Sequence, residues 1–101
     1  MKKGAVATPE VHLQTGMVTN GPVRVNQPFV WVNTLGVSCS VIAETGEQQW
    51  FNPDPVTVPA AANGESGTAA VTAIRAGTFN YVSTCSQQGD NVFGRTLKVM
   101  S

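Results

Sequence analysis

Apolar residues recur at every second position along much of this chain, in short runs that end at Gly, Pro or Asn. The run at residues 29–34 is dense in residue types that favour strands, and Pro28 precedes it. This period of two matches half-buried β-strands rather than helices. About eight short strands in 101 residues predict a single all-β domain, an antiparallel sandwich or barrel. Residues 1–9 precede the first strand, and we expect them to form a poorly ordered N-terminal tail.

Two strand segments carry the cysteines on their apolar faces. Residues 67–75 and 77–84 are predicted to form a hairpin that turns at Ala76 and Gly77. Alternation places Cys85 on one face with Tyr81 and Ser83, while Cys39 shares the apolar face of an earlier strand. Both thiols are therefore expected to point into the core.

The chain has two cysteines, Cys39 and Cys85. Their separation fits neither a CxxC redox pair nor the spacing of a zinc site. A disulfide between them would close a loop of about 46 residues and contribute on the order of 4 kcal/mol to a small domain. We expect a structural disulfide; two buried free thiols and a soft-metal or redox role are the alternatives.

Charge and hydropathy exclude some partners. Charged residues make up 12% of the chain, about half the usual ~25%, and six basic residues balance six acidic ones. This balance gives no electrostatic case for a nucleic-acid partner. No apolar run approaches the ~18 residues of a membrane-spanning helix, so we expect no membrane span.

The N-terminus bears on localisation. Met1, Lys2 and Lys3 could open a secretion signal, but residues 4–9 are too short and too weakly apolar for its hydrophobic region. An extracytoplasmic location, periplasmic or secreted, with the natural leader missing is favoured over a cytoplasmic one.

Three segments resemble the cupredoxins, the family of blue-copper proteins. Residues 23–33, VRVNQPFVWVN, resemble the family's opening, in which a turn leads into a strand that ends in aromatic-Val-Asn. Residues 76–81, AGTFNY, are similar to its Pro-Gly-Thr-Tyr-x-Tyr strand, and residues 94–99, GRTLKV, to its closing strand. The resemblance covers residues 23–100 and implies a cupredoxin-like Greek-key β-sandwich. An immunoglobulin-like sandwich is the alternative fold.

The resemblance also implies where copper ligands would lie, and the chain departs from the family there. Cys39 stands about where the family's first copper-binding histidine falls, and Ser83 stands where its ligand cysteine commonly falls. The one histidine, His12, lies on the first predicted strand. A blue-copper site needs two imidazoles and a thiolate, so we expect neither a metal site nor a cofactor. A Cys39–Cys85 bond would join the two regions that copper joins in the family.

Two further groups are candidates for a binding surface. Trp50 and Phe51 lie in a segment punctuated by Pro and Gly, where they either pack in the core or form a recognition surface. The polar loop that corresponds to the family's ligand loop supplies the rest of the candidate surface, namely Gln87, Gln88, Asp90 and Asn91. Trp31, in the middle of a strand, is expected in the core.

We therefore expect a non-catalytic binding or structural module, clipped by a Cys39–Cys85 disulfide, that contacts a protein or glycan through its loop ends. One alternative is a metal-handling or electron-transfer protein that binds Cu(I) through the two reduced cysteines. Another is a small hydrolase that uses His12. No nucleophile elbow surrounds any serine, and we expect no enzyme.

Overall fold

A computed structural model describes residues 8–46, 48–85 and 91–101 of the protein. Within these ranges the chain forms ten strands and no helix, so it has no helix long and apolar enough to cross a membrane. The strands are β1 (Glu10–His12), β2 (Val18–Thr19), β3 (Val23–Arg24), β4 (Pro28–Asn33), β5 (Cys39–Ala43), β6 (Phe51–Asn52), β7 (Val56–Val58), β8 (Gly67–Ala73), β9 (Gly77–Cys85) and β10 (Asn91–Met100).

The strands form two five-stranded sheets that pack as a sandwich. The first sheet has the order β2-β1-β4-β8-β6, and the second has the order β3-β10-β9-β5-β7. The predicted all-β sandwich is therefore confirmed. Two pairs of the described strands, β1 with β4 and β3 with β10, are parallel, whereas the sequence predicted an antiparallel sandwich.

The predicted hairpin at residues 67–84 is wrong. β8 pairs with β4 and β6 in the first sheet, and β9 pairs with β10 and β5 in the second. The chain passes between the sheets after Ala73, where the Ile74 amide donates to the Trp50 carbonyl and Arg75 Nε donates to the Gln49 carbonyl. These bonds fix the segment in which the chain crosses from one sheet to the other. A glycine occurs in such a crossover as it does in a hairpin turn, so the local sequence does not distinguish the two.

Aromatic rings from both sheets fill the core. Trp31 of β4 is fully buried, as predicted, and its ring centroid lies 4.7 Å from that of Tyr81 on β9. Phe29 and Phe51 pack edge-on against Trp31 at 5.1 and 5.3 Å. These contacts join the two sheets, because Tyr81 belongs to the second sheet and the other three rings to the first.

The N-terminal region is ordered from before the first strand. The carbonyl of Pro9 accepts a hydrogen bond from the amide of Val30, which extends the pairing of β1 with β4. Residues 1–7 of the expected tail lie outside the described residues.

Candidate functional site

The two cysteines are bonded to each other at one end of the sandwich. Cys39 begins β5 and Cys85 ends β9, and the two residues are direct partners in the antiparallel register. Their sulfurs are 2.02 Å apart and their Cα atoms 3.9 Å apart. The predicted disulfide is thus confirmed, and it links neighbouring strands of one sheet.

The disulfide is buried. Cys39 and Cys85 are 1% and 0% exposed. The hydroxyl of Ser83, also fully buried, lies 3.7 Å from the sulfur of Cys85. Because a disulfide sulfur carries no hydrogen, the hydroxyl is the donor in this contact. The joined sulfurs offer neither a thiolate nor a solvent-accessible nucleophile.

Asn33 organises the same end of the sandwich, which we call the disulfide end. Its side-chain nitrogen donates to the carbonyls of Val37 and Pro59, at 2.7 and 3.0 Å. Its side-chain oxygen accepts from the amide of Leu35 at 3.0 Å and from Gln14 at 3.2 Å. The buried amide thus makes all four of its hydrogen bonds and fixes the turn that leads into β5. The sequence placed Asn33 at a strand end but gave no signal of this role.

His12 lies on the first sheet, away from the strands that carry the cysteines. Its Nε2 atom is 3.5 Å from the Thr19 hydroxyl and 4.0 Å from a Glu10 carboxylate oxygen. Both neighbours approach the same ring nitrogen, whereas a catalytic relay needs a nucleophile at one nitrogen and an acid at the other. This cluster therefore lacks the geometry of a hydrolase triad.

The residues present do not fit a blue-copper centre. Such a centre needs two imidazoles and a thiolate. The sulfurs of Cys39 and Cys85 are consumed in their mutual bond, and His12 belongs to the other sheet. In the part of the chain that the structure describes, no group of three His, Cys, Asp or Glu side chains could hold a metal ion.

Trp50 and Phe51 do not form the surface proposed for them. Both are 0% exposed, and the Trp50 indole is stacked on Phe79 and donates to the Asn80 carbonyl at 3.2 Å. Phe51 lies in β6 and pairs with Ala73, which ties the segment to the edge of the first sheet. Both rings therefore belong to the core. Core packing is the second of the two roles that the sequence left open for them.

The remaining residues of the candidate surface are only partly described. Gln87, Gln88 and Asp90 lie outside the described residues. The backbone of Asn91 begins β10 and pairs with that of Cys85, next to the disulfide. The polar loop therefore stays a prediction.

Two concavities lie at opposite ends of the sandwich. At the disulfide end, Thr34, Gly36 and residues 61–66 line a shallow polar depression of about 390 Å³. At the other end, where β4 begins, a groove of about 190 Å³ contains three prolines and Arg24. Arg24 is the charged side chain of this groove, and it also donates to the Ser101 carbonyl.

Comparisons with known proteins add no relative from which a function can be transferred. No family model, curated protein or solved structure matches the chain. The function is therefore inferred from the disulfide, the packed core and the exposed faces of the sheets.

Proposed function

We propose that the chain is a non-catalytic binding or structural module on a cupredoxin-like Greek-key scaffold without a copper site. The strand order supports this scaffold. Among the strands that the structure describes, only β1 with β2 and β9 with β10 are sequence neighbours that pair, and the other connections pass between the sheets. Neighbouring strands drawn from distant parts of the chain are typical of Greek-key sandwiches.

One observation carries the proposal: the buried sulfurs of Cys39 and Cys85 are bonded to each other at the end where the resemblance implies copper ligands. In the proposed scaffold this bond replaces the metal as the tie between β5 and β9. A covalent tie leaves no redox ion and no open coordination position. The module would then act through its surfaces, either by binding another molecule or as a structural component.

The same bond favours an oxidising compartment. Structural disulfides persist outside the cytosol and are rare within it. We propose that the protein is extracytoplasmic, either periplasmic or secreted. Detecting the disulfide by non-reducing peptide mass spectrometry of protein taken from its native cells tests this placement.

The experiment that tests the function is copper titration of the oxidised and the reduced protein. We expect neither form to retain copper after gel filtration or to develop thiolate-to-copper absorption. In the oxidised form the two sulfurs are bonded to each other, and both cysteine positions are buried on the sheet that does not carry His12. The double variant Cys39→Ala/Cys85→Ala is the matched control. If the reduced protein bound one Cu(I) that this variant did not, the metal-handling alternative would replace the proposal.

Removal of the disulfide provides a second readout on the same protein. The bond spans 46 positions, so its reduction should lower the free energy of unfolding by about 4 kcal/mol. For a domain of this size the melting midpoint should fall by more than ~10 °C. An unchanged midpoint after complete reduction would show that the bond is not the tie that the proposal requires.

A further inference from the structure

The outer face of the second sheet presents an uncharged central area. Residues Ile42, Val82 and Gly94 are register partners on β5, β9 and β10, and they form a row across the middle of this face. Toward the disulfide end the next row carries the exposed hydroxyls of Ser40 and Thr84. Ile42, a large aliphatic side chain, is 36% exposed on this face.

Gly94 leaves a depression in this row that the fold itself does not require. A Cβ atom added at Gly94 would meet only the Tyr81 carbonyl oxygen, at 3.9 Å, which is an ordinary contact. Its φ lies outside the left-handed region, so the backbone does not demand glycine either. Glycine inside a strand weakens the strand and often marks the close approach of another backbone or ligand.

Opposite charges lie at the two margins of the face. Glu44 is exposed directly after β5, where its amide donates to the Asn80 carbonyl. Lys98 is exposed on β10, one row beyond Thr96, the register partner of Asn80. The negative margin thus follows β5, the positive margin follows β10, and uncharged β9 separates them.

This distribution is complementary to itself under a two-fold rotation about an axis parallel to β9. The rotation places β5 of one copy over β10 of the other and keeps each row at its own level. Ile42 then projects toward the partner's Gly94, and Val82 meets its own counterpart. Glu44 comes within reach of the partner's Lys98, and the symmetry repeats both contacts.

We infer that this face binds a second copy of the chain and forms a symmetric, face-to-face dimer. The inference names a partner for the module and so rests on the proposed function. Three strands about 5 Å apart and four rows about 7 Å apart give a face on the order of 400 Å² on each copy. This area lies below that of stable complexes, so the dimer is weak and transient.

Sedimentation equilibrium of the disulfide-bonded protein from about 10 μM to about 1 mM tests the dimer. We expect a reversible monomer–dimer equilibrium. Gly94→Val fills the depression with a side chain that the open face accommodates, and it should weaken dimerisation about tenfold or more while the monomer's melting midpoint is kept. A strictly monomeric protein at about 1 mM would overturn the inference.

A charge exchange supplies an independent test. Glu44→Lys places like charges together and should weaken the dimer about fivefold or more, whereas Glu44→Lys/Lys98→Glu should restore it to within about twofold. Glu65→Lys makes the same charge change at the disulfide end and should leave association unchanged. If the protein dimerised and neither Gly94→Val nor Glu44→Lys weakened the dimer, the interface would lie elsewhere and the inference would be wrong. A monomeric result leaves the copper titration, and with it the proposed function, unaffected.

Discussion

Tyr81 shows how one buried polar group reports on the packing around it. Its hydroxyl points across the sandwich to the carbonyls of His12 and Leu13, at 3.4 and 3.3 Å. Burial raises the pKa of Tyr81 to about 12, partly opposed by the positive charge of Arg95. The neutral phenol is therefore the form that the folded protein accommodates.

This pKa predicts how stability changes at alkaline pH. Since the pKa of 10.0 in the unfolded chain is the lower of the two, the unfolded state loses the tyrosine proton first as pH rises. The stability linked to Tyr81 is fully present below pH 10 and is lost as pH rises from 10 to about 12. The loss should amount to roughly 2–3 kcal/mol.

Phenolate absorbance measures this titration cleanly, because Tyr81 is the one tyrosine in the chain. We expect a midpoint near 12 for the native protein, and the urea-unfolded chain is the internal reference. Tyr81→Phe should remove the part of this fall that is linked to Tyr81. A native midpoint equal to that of the unfolded chain would contradict the burial of the hydroxyl.

At the scale of elements, alternation predicted faces but not partners. The inward faces of β5 and β9 are those expected, since Val41, Tyr81 and both cysteines are buried. The alternation of side chains along each strand was therefore enough to predict that both cysteines point into the core and could form a bond. It could not show that β5 and β9 are adjacent, because strand order depends on contacts between distant segments. The misplaced hairpin has the same origin.

The candidate surface failed for a related reason. Local sequence shows that Trp50 and Phe51 interrupt a loop-like segment, but not which surface that segment covers. The covering contacts come from Ala73, Ile74 and Asn80, which are more than 20 positions away. The two-residue strands β2, β3 and β6 are likewise too short to produce a periodic signal.

Gly67 lies where the start of β8 approaches the backbone of Pro59 closely. A methyl group at this first residue of β8 would fall on the carbonyl oxygen of Pro59, which accepts a hydrogen bond from Asn33. Gly67→Ala should therefore destabilise the protein by about 1–3 kcal/mol in urea unfolding. Gly36→Ala is the matched control, because open space surrounds that position, and it should stay within about 0.5 kcal/mol. Equal stability of the two variants would show that β8 and Pro59 do not touch.

At the scale of the whole molecule, the aromatic cluster makes the two sheets one cooperative unit. The ring centroid of Trp50 lies 6.1 Å from that of Trp31 and 4.8 Å from that of Phe51, both in the first sheet. The same ring stacks on Phe79 of the second sheet, with the centroids 5.3 Å apart. Trp50 precedes β6 in the chain, yet it fills space between both layers. The loop that carries it is thus part of the core.

Trp50→Ala should therefore cost about 3–5 kcal/mol of unfolding free energy and lower the melting midpoint accordingly. Ile74→Ala removes an aliphatic side chain that is 40% exposed on the neighbouring corner, and it should have a much smaller effect. Thermal melts followed by circular dichroism compare the two. If Trp50→Ala melted like the unaltered protein, the indole would lie at a surface after all.

The position of the sulfur bridge also determines how the molecule would respond to mechanical tension. A pull on the chain outside Cys39 and Cys85 passes through the bridge, so the segment between them carries no load. β4 lies outside that segment and β8 within it, although the two are paired along six residues. Tension would therefore separate β4 from β8 and β10 from β9, while β5 and β9 remained fastened together.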